Sequence, residues 1–199
     1  MSYAIIGFGA VGQALARSFA RKAIETAVAS THPAKALAPL AKAIGPTIVP
    51  KSLAEALEAE FVFLAVPFWA HRDVAKAAGS WNGKVVIDAT NAYGVAPEEL
   101  GDLPSSVVVS QALPGAKLVK GFNHLPARVL AEDPDVNGGR RVVFLSSDDE
   151  SATVAAAALA EQLGYAPVEL GKLSEGGLLV QARGAVWAPL IFQDLVKFK

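Results

Sequence analysis

Tyr3-Ala-Ile-Ile-Gly-Phe-Gly-Ala-Val-Gly-Gln-Ala-Leu-Ala-Arg17 is the stretch on which the architecture of this chain turns. Residues 3–6 have the apolar composition of a buried strand, and they run directly into Gly7, Phe8, Gly9, Ala10, Val11 and Gly12, a G-x-G-x-x-G hexapeptide. A helix follows over 10–22, with Val11, Leu15 and Phe19 spaced by four on one face and Arg17, Arg21 and Lys22 turned to water. The three glycines do different things. Gly7 permits the tight turn, Gly9 lets the backbone approach a pyrophosphate, and Gly12 lets helix and strand pack closely. The unpaired N–H groups and positive dipole end of the helix then hold phosphates. Strand, glycine turn and helix in this order separate a dinucleotide loop from a chance cluster of glycines.

Outward from that unit the chain alternates short apolar runs with segments of helical period, the pattern of a parallel sheet. Strands are expected at 26–30, 47–49, 61–66 and 85–88, and alanine-rich helices at 34–43, 52–59 and 70–78. Beyond Ala89, Pro97, Pro104 and Pro114 break the chain into short pieces. Residues 105–112 fit a strand through three successive valines, or a helix through their Ala-Leu-Pro-Gly ending. A strand is expected at 117–122, a turn at 133–139 and a further strand at 140–145. Ser147-Asp-Asp-Glu150 has the form of a capping box, with Ser147 as the cap of a helix that Gly164 stops. One more strand fits 167–170, before an apolar C-terminal stretch interrupted by Pro189. The 199 residues therefore form a single α/β domain, Rossmann-like and doubly wound, with a mainly parallel sheet and a short helical C-terminal extension over about 172–199.

Composition removes several classes of function. With 18 basic against 19 acidic side chains the net charge is -1, so no general attraction to nucleic acid or anionic membrane is expected. The absence of cysteine excludes disulfides, thiolate metal sites and a cysteine nucleophile. His32, His71 and His124 are far apart and form no zinc motif, so no metal is expected. The longest run free of charged and polar side chains, 61–70, is far short of the roughly 20 residues of a membrane span. No basic residue precedes the apolar N-terminus as it would in a signal peptide, and a cytoplasmic location is the expectation.

The second strand ends Ala29-Ser-Thr-His-Pro-Ala-Lys35, without the carboxylate that binds the ribose hydroxyls in NAD-selective sites. The hydroxyls of Ser30 and Thr31, the ring of His32 and the ammonium of Lys35 can all donate to a 2'-phosphate, which favours NADP (NADPH) over NAD. Lys35 also suits a solvated helix position, and Thr31 a helix cap. Ala65, Val66 and Pro67 end the fourth strand and Asn91 follows the fifth, so these residues are expected to line the nicotinamide half. Asp88 fits either a local turn cap or a neighbour of the cofactor.

Five segments carry a resemblance: GFGAVGQALA, AVPFWAH, DATNAYG, GAKLVKGFNHLPA, and GRRVVFLSSDDESATVAAAALAEQLGYAPVELGKL. Together they resemble the NADPH-dependent reductases of the deazaflavin coenzyme F420, over nearly the whole chain. The resemblance implies direct hydride transfer between a nicotinamide and a deazaflavin or flavin-like ring, a reaction that needs alignment more than acid–base groups. It also implies that residues 122–126 sit at the acceptor ring. Asn123 stands where the archaeal reductases carry a histidine, and the adjacent His124 serves either as a donor to a ring carbonyl or as a structural hydrogen-bonder. Residues past Gly171 would form the far wall of the acceptor site. Trp187 suits an aromatic surface there, or, with Leu190, Ile191 and Phe192, a core or homodimer face. Two rivals share these features: an imine or hydroxyacid reductase completed by a dimer, and an NADPH-binding sensor without turnover.

Overall fold

The structure, a computed structural model, describes residues 1–182. Its first half is β1 (Tyr3–Ile6), α1 (Ala10–Arg21), β2 (Thr26–Ala29), α2 (Ala34–Ile44), β3 (Ile48–Pro50), α3 (Leu53–Ala56), β4 (Phe61–Leu64), α4 (His71–Ala77) and β5 (Val85–Asp88). Then come α5 (Ser105–Ala112), β6 (Lys117–Gly121), α6 (Ala127–Ala131), β7 (Asp135–Val136), β8 (Gly139–Arg140), β9 (Val142–Ser147), α7 (Glu150–Gln162), β10 (Ala166–Glu169) and α8 (Gly176–Val180). Eight strands form one sheet in the order β10-β9-β6-β5-β4-β1-β2-β3. β1 to β6 are mutually parallel, β9 runs antiparallel to β6, and β10 is parallel to β9. This is a mostly parallel Rossmann-like α/β fold, with the strand order reversing between β1 and β4.

The sheet is apolar on both faces because helices cover both. Ile5, Phe63, Ile87, Val119 and Leu145 point to one side and pack with Leu15 and Phe19 of α1 and Ala156 and Leu159 of α7. Their neighbours Ile6, Val62, Leu64, Val86 and Leu118 point to the other and meet Ala56, Val74 and Val109 from α3, α4 and α5. Side chains alternate strictly along a strand, so one set of residues cannot serve both cores.

Several boundaries differ from the sequence expectation for local reasons. Residues 105–112 are helix, begun after Pro104 and buried on the sheet through Val109. The turn at 133–139 is a tight hairpin, β7 pairing with β8 through Asn137 at φ +52° and Gly138 at φ +81°. The cap of α7 is Asp149 rather than Ser147: the Asp149 carboxylate accepts from the Ala152 N–H at 2.9 Å. Ser147 is held instead in β9, its hydroxyl donating to the Leu118 carbonyl at 2.6 Å. Gly164 at φ +98° ends the helix as expected. Among the described residues no helix is long and apolar enough to cross a membrane. Trp187, Pro189, Leu190, Ile191 and Phe192 lie outside the described residues.

Candidate active site

A cleft of about 540 Å³ opens at the carboxyl ends of β1, β2 and β4, where the strand order reverses. Its floor is the turn Gly7-Phe8-Gly9 between β1 and α1. Gly7 has φ +98°, and a Cβ there would lie 2.3 Å from the Ala65 carbonyl oxygen, so both backbone shape and space require glycine. A Cβ on Gly12 would lie 1.9 Å from the Gly7 carbonyl oxygen, which is the close helix–strand approach expected of it. At Gly9 a Cβ would meet no protein atom within 4 Å, which leaves this backbone bare toward a ligand.

The loop is clamped from several sides. The N–H of Gly7 donates to the Ala29 carbonyl at 2.8 Å, and that of Ala65 to the Ile6 carbonyl at 2.8 Å. The Gln13 side-chain amide donates to the Phe8 carbonyl at 3.0 Å. Among the described residues no side chain caps the N-terminus of α1, so its N–H groups and dipole stand ready for an anion. A glycine cradle that added Cβ atoms would fill, ending in an uncapped helix, fits the pyrophosphate of a dinucleotide.

Ser30, Thr31 and His32 line the cleft beyond β2, and Ala65, Val66 and Pro67 line it beyond β4. Ser30 Oγ accepts from the His32 N–H at 3.0 Å and so shapes this strand end. Lys35 is exposed on α2 and does not line the cleft; Ala10, Val11 and Gly12 form the first turn of α1, beside the loop, and are not among the lining residues. Sequence reasoning missed the apolar wall made by Leu37 and Leu40 of α2, Leu53 before Ala56 in α3, and Val74 of α4. Leu40, 46% exposed, carried a signal, since a large apolar residue left in solvent at a cleft rim marks a contact surface. It missed Asp73 too, whose carboxylate lines the cleft 3.8 Å from the Lys76 ammonium.

Asn91, Asn123 and His124 are not lining residues of this cleft. The first two are joined to each other across the ends of β5 and β6. Nδ2 of Asn91 donates to the Asn123 carbonyl at 2.9 Å, and Nδ2 of Asn123 donates to Oδ1 of Asn91 at 3.1 Å and to the Val180 carbonyl at 2.8 Å. Oδ1 of Asn123 is buried and has no hydrogen-bond partner among the described residues. The chain reaches this position through Phe122, whose φ of +62° is unusual for a bulky residue and costs on the order of 1–3 kcal/mol. Its ring is anchored edge-on against Phe63 at 5.6 Å and Tyr165 at 5.5 Å.

His124 is a core residue. Its Nε2 donates to the Val142 carbonyl at 3.3 Å, its ring lies 4.8 Å from that of Phe144, and burial pushes its pKa down to about 4. Of the two roles open to it in the sequence, this geometry is that of the structural hydrogen-bonder. Asp88 is likewise a turn cap, accepting from the N–H and hydroxyl of Thr90 at 2.9 and 2.7 Å, and it is paired with Lys120.

Residues 2–92 match the family described as NADP oxidoreductase, coenzyme F420-dependent. That span, just under half of the 199 residues, carries the domain of this family. The matched span contains the glycine loop, the Ser30–His32 strand end, the Ala65–Pro67 strand end and Asn91. A hypothetical protein from Sinorhizobium meliloti is 39% identical, covers 100% of this chain and 96% of its own, and superposes with a TM-score of 0.90. A protein from Arthrobacter sp. FB24, whose proposed role is that of an F420-dependent NADP reductase, is 26% identical, with 87% and 86% of the two chains covered and a TM-score of 0.71. A reductive aminase from Aspergillus terreus, solved with NADPH and ethyl-5-oxohexanoate, shares the fold at 19% identity and a TM-score of 0.62, over 86% of this chain and 55% of that one. No curated protein matches the sequence.

Proposed function

We propose that this protein is an NADP(H)-dependent oxidoreductase that transfers a hydride directly to a planar deazaflavin (coenzyme F420) or flavin-like acceptor. The observation that carries the reading is the cleft itself, with a bare glycine turn at one end and, at the adenosine end, Ser30, Thr31 and His32 where an NAD site has a carboxylate. The turn 7–9 and the first turn of α1 hold the pyrophosphate, and the hydroxyls of Ser30 and Thr31 with the ring of His32 donate to the 2'-phosphate. Leu37, Leu40, Leu53 and Val74 exclude water from the adenosine, as Ala65, Val66 and Pro67 do beyond β4. Bound NADPH supplies the hydride. Orientation of the ring system falls to Asn91 and Asn123, which are bonded to each other at the ends of β5 and β6, outside the lining of the cleft.

Exposed Leu103, Leu178 and Leu179 support the further reading that the working form is a homodimer, since apolar side chains of this size are normally covered. NADPH oxidation with coenzyme F420 and FMN as parallel acceptors, and NADH as control, tests the function. Turnover with the deazaflavin and NADPH is expected. NADPH binding without oxidation by either acceptor would point to the sensor instead.

A further inference from the structure

The mechanism above leaves unused a fully buried ion pair at the ends of β5 and β6. Asp88 and Lys120 are register partners on neighbouring parallel strands, and neither side chain has any exposure. Nζ of Lys120 lies 3.1 Å from Oδ2 of Asp88 and also donates to the Thr90 carbonyl, while Oδ1 of Asp88 accepts from the N–H and hydroxyl of Thr90. Every one of these bonds fastens the turn that leads from β5 to Asn91. Lys120 itself lies three residues before Asn123, so the pair ties the two segments whose ends are the asparagines.

The arrangement of those asparagines is determinate. The Val180 carbonyl can only accept, so the nitrogen of the Asn123 carboxamide must face it, and the atom without a partner among the described residues is the oxygen. A buried ion pair is a weak source of stability, because desolvation offsets much of the attraction and apolar replacements are often neutral or better. A geometric role accounts for its place here better than an energetic one.

We propose that Asp88 and Lys120 are the positioning residues of the acceptor half, fixing the turn 88–91 against β6 so that Asn91 and Asn123 keep their mutual hydrogen bonds and the geometry of that half of the site. The kinetic part of this inference rests on the proposed oxidoreductase function; the structural part does not. Neither residue touches cofactor or acceptor, and both act through Thr90, Asn91 and Asn123.

Lys120→Met alone would strand a buried carboxylate and is expected to fold poorly, so the test uses the neutral pair Asp88→Asn with Lys120→Met, which keeps an acceptor for Thr90 but removes the tie to β6. The measurements are NADPH affinity, steady-state kinetics with the acceptor, and hydrogen exchange of the NADPH-bound protein. The double variant is expected to melt cooperatively and to bind NADPH within about threefold of the parent. Exchange at residues 89–93 and 122–125 is expected to accelerate about tenfold, without change in β1 to β3. The acceptor kcat/KM is expected to fall about tenfold, and Asn91→Ala should reproduce that split. Unaltered exchange at 89–93 overturns the inference whatever the kinetics. Faster exchange with an unchanged kcat/KM also overturns it, as does a loss of NADPH affinity in step with turnover. If the parent oxidises NADPH with neither acceptor, the oxidoreductase reading has failed, and the exchange comparison alone decides the positioning role: local acceleration supports it and none refutes it.

Discussion

Ser30 stands where one side chain can decide a cofactor. Its hydroxyl accepts from the His32 N–H at the lip of the cleft, where a carboxylate would repel a 2'-phosphate. Replacing Ser30 by Asp and Thr31 by Ala is therefore expected to move the NADPH to NADH affinity ratio toward NADH by about tenfold or more, measured by titration of each nucleotide. An unchanged ratio would remove this strand end from cofactor selection. His124 makes a prediction of a different kind. Burial lowers its pKa from 6.5 to about 4, so above pH 6.5 the ring is neutral in both folded and unfolded chains and costs nothing. As pH falls below 6.5 the unfolded chain takes up a proton that the folded chain refuses, and stability drops by about 1.4 kcal/mol per pH unit, about 3 kcal/mol by the time pH 4 is reached. Urea denaturation at a series of pH values should show this slope, and His124→Gln, which can still donate to Val142, should flatten it.

At the scale of elements, the start of α7 offers a direct comparison. Asp149→Ala removes the bond to the Ala152 N–H and is expected to destabilise the fold by about 1 kcal/mol through loss of the cap. Thermal melts of that variant check the prediction, and an unaltered midpoint would contradict it. The sequence 147–150 made Ser147, not Asp149, the expected cap. What decided between them is tertiary: Ser147 donates its N–H to the Gly171 carbonyl and its hydroxyl to Leu118, bonds that no local pattern announces. The helix α5 was ambiguous for the same reason, since its three valines suit a strand and only its packing on the sheet through Val109 selects a helix. The glycine loop was legible because its conformation is dictated within six residues. The asparagine pair was half legible: both residues stood out, yet their pairing depends on β5 and β6 being neighbours. Lys120 gave no signal at all, because a single lysine in an apolar strand reads as a solvated charge until the sheet register sets Asp88 beside it.

For the whole molecule, the cleft draws on β1, α2, α3, α4 and the turns that follow β1, β2 and β4, so occupying it should stabilise the fold as a unit. NADPH at about 100 times its Kd is expected to add about 2.7 kcal/mol of stability, and NADH at the same concentration much less. The doubly wound sheet was predictable because strand and helix alternate with matching periods, whereas the reversal of direction at β9 was not, since it depends on the pairing of β9 with β6 rather than on composition. If exposed Leu103, Leu178 and Leu179 are a contact between copies, light scattering should return twice the chain mass, and replacing Leu178 and Leu179 by Lys should halve it.

The central claim is tested most directly by mixing the purified protein with NADPH and oxidised coenzyme F420 and following both chromophores together. The account predicts stoichiometric loss of NADPH and of oxidised deazaflavin, with little reaction when NADH replaces NADPH. Tight NADPH binding with no change in either chromophore would contradict it.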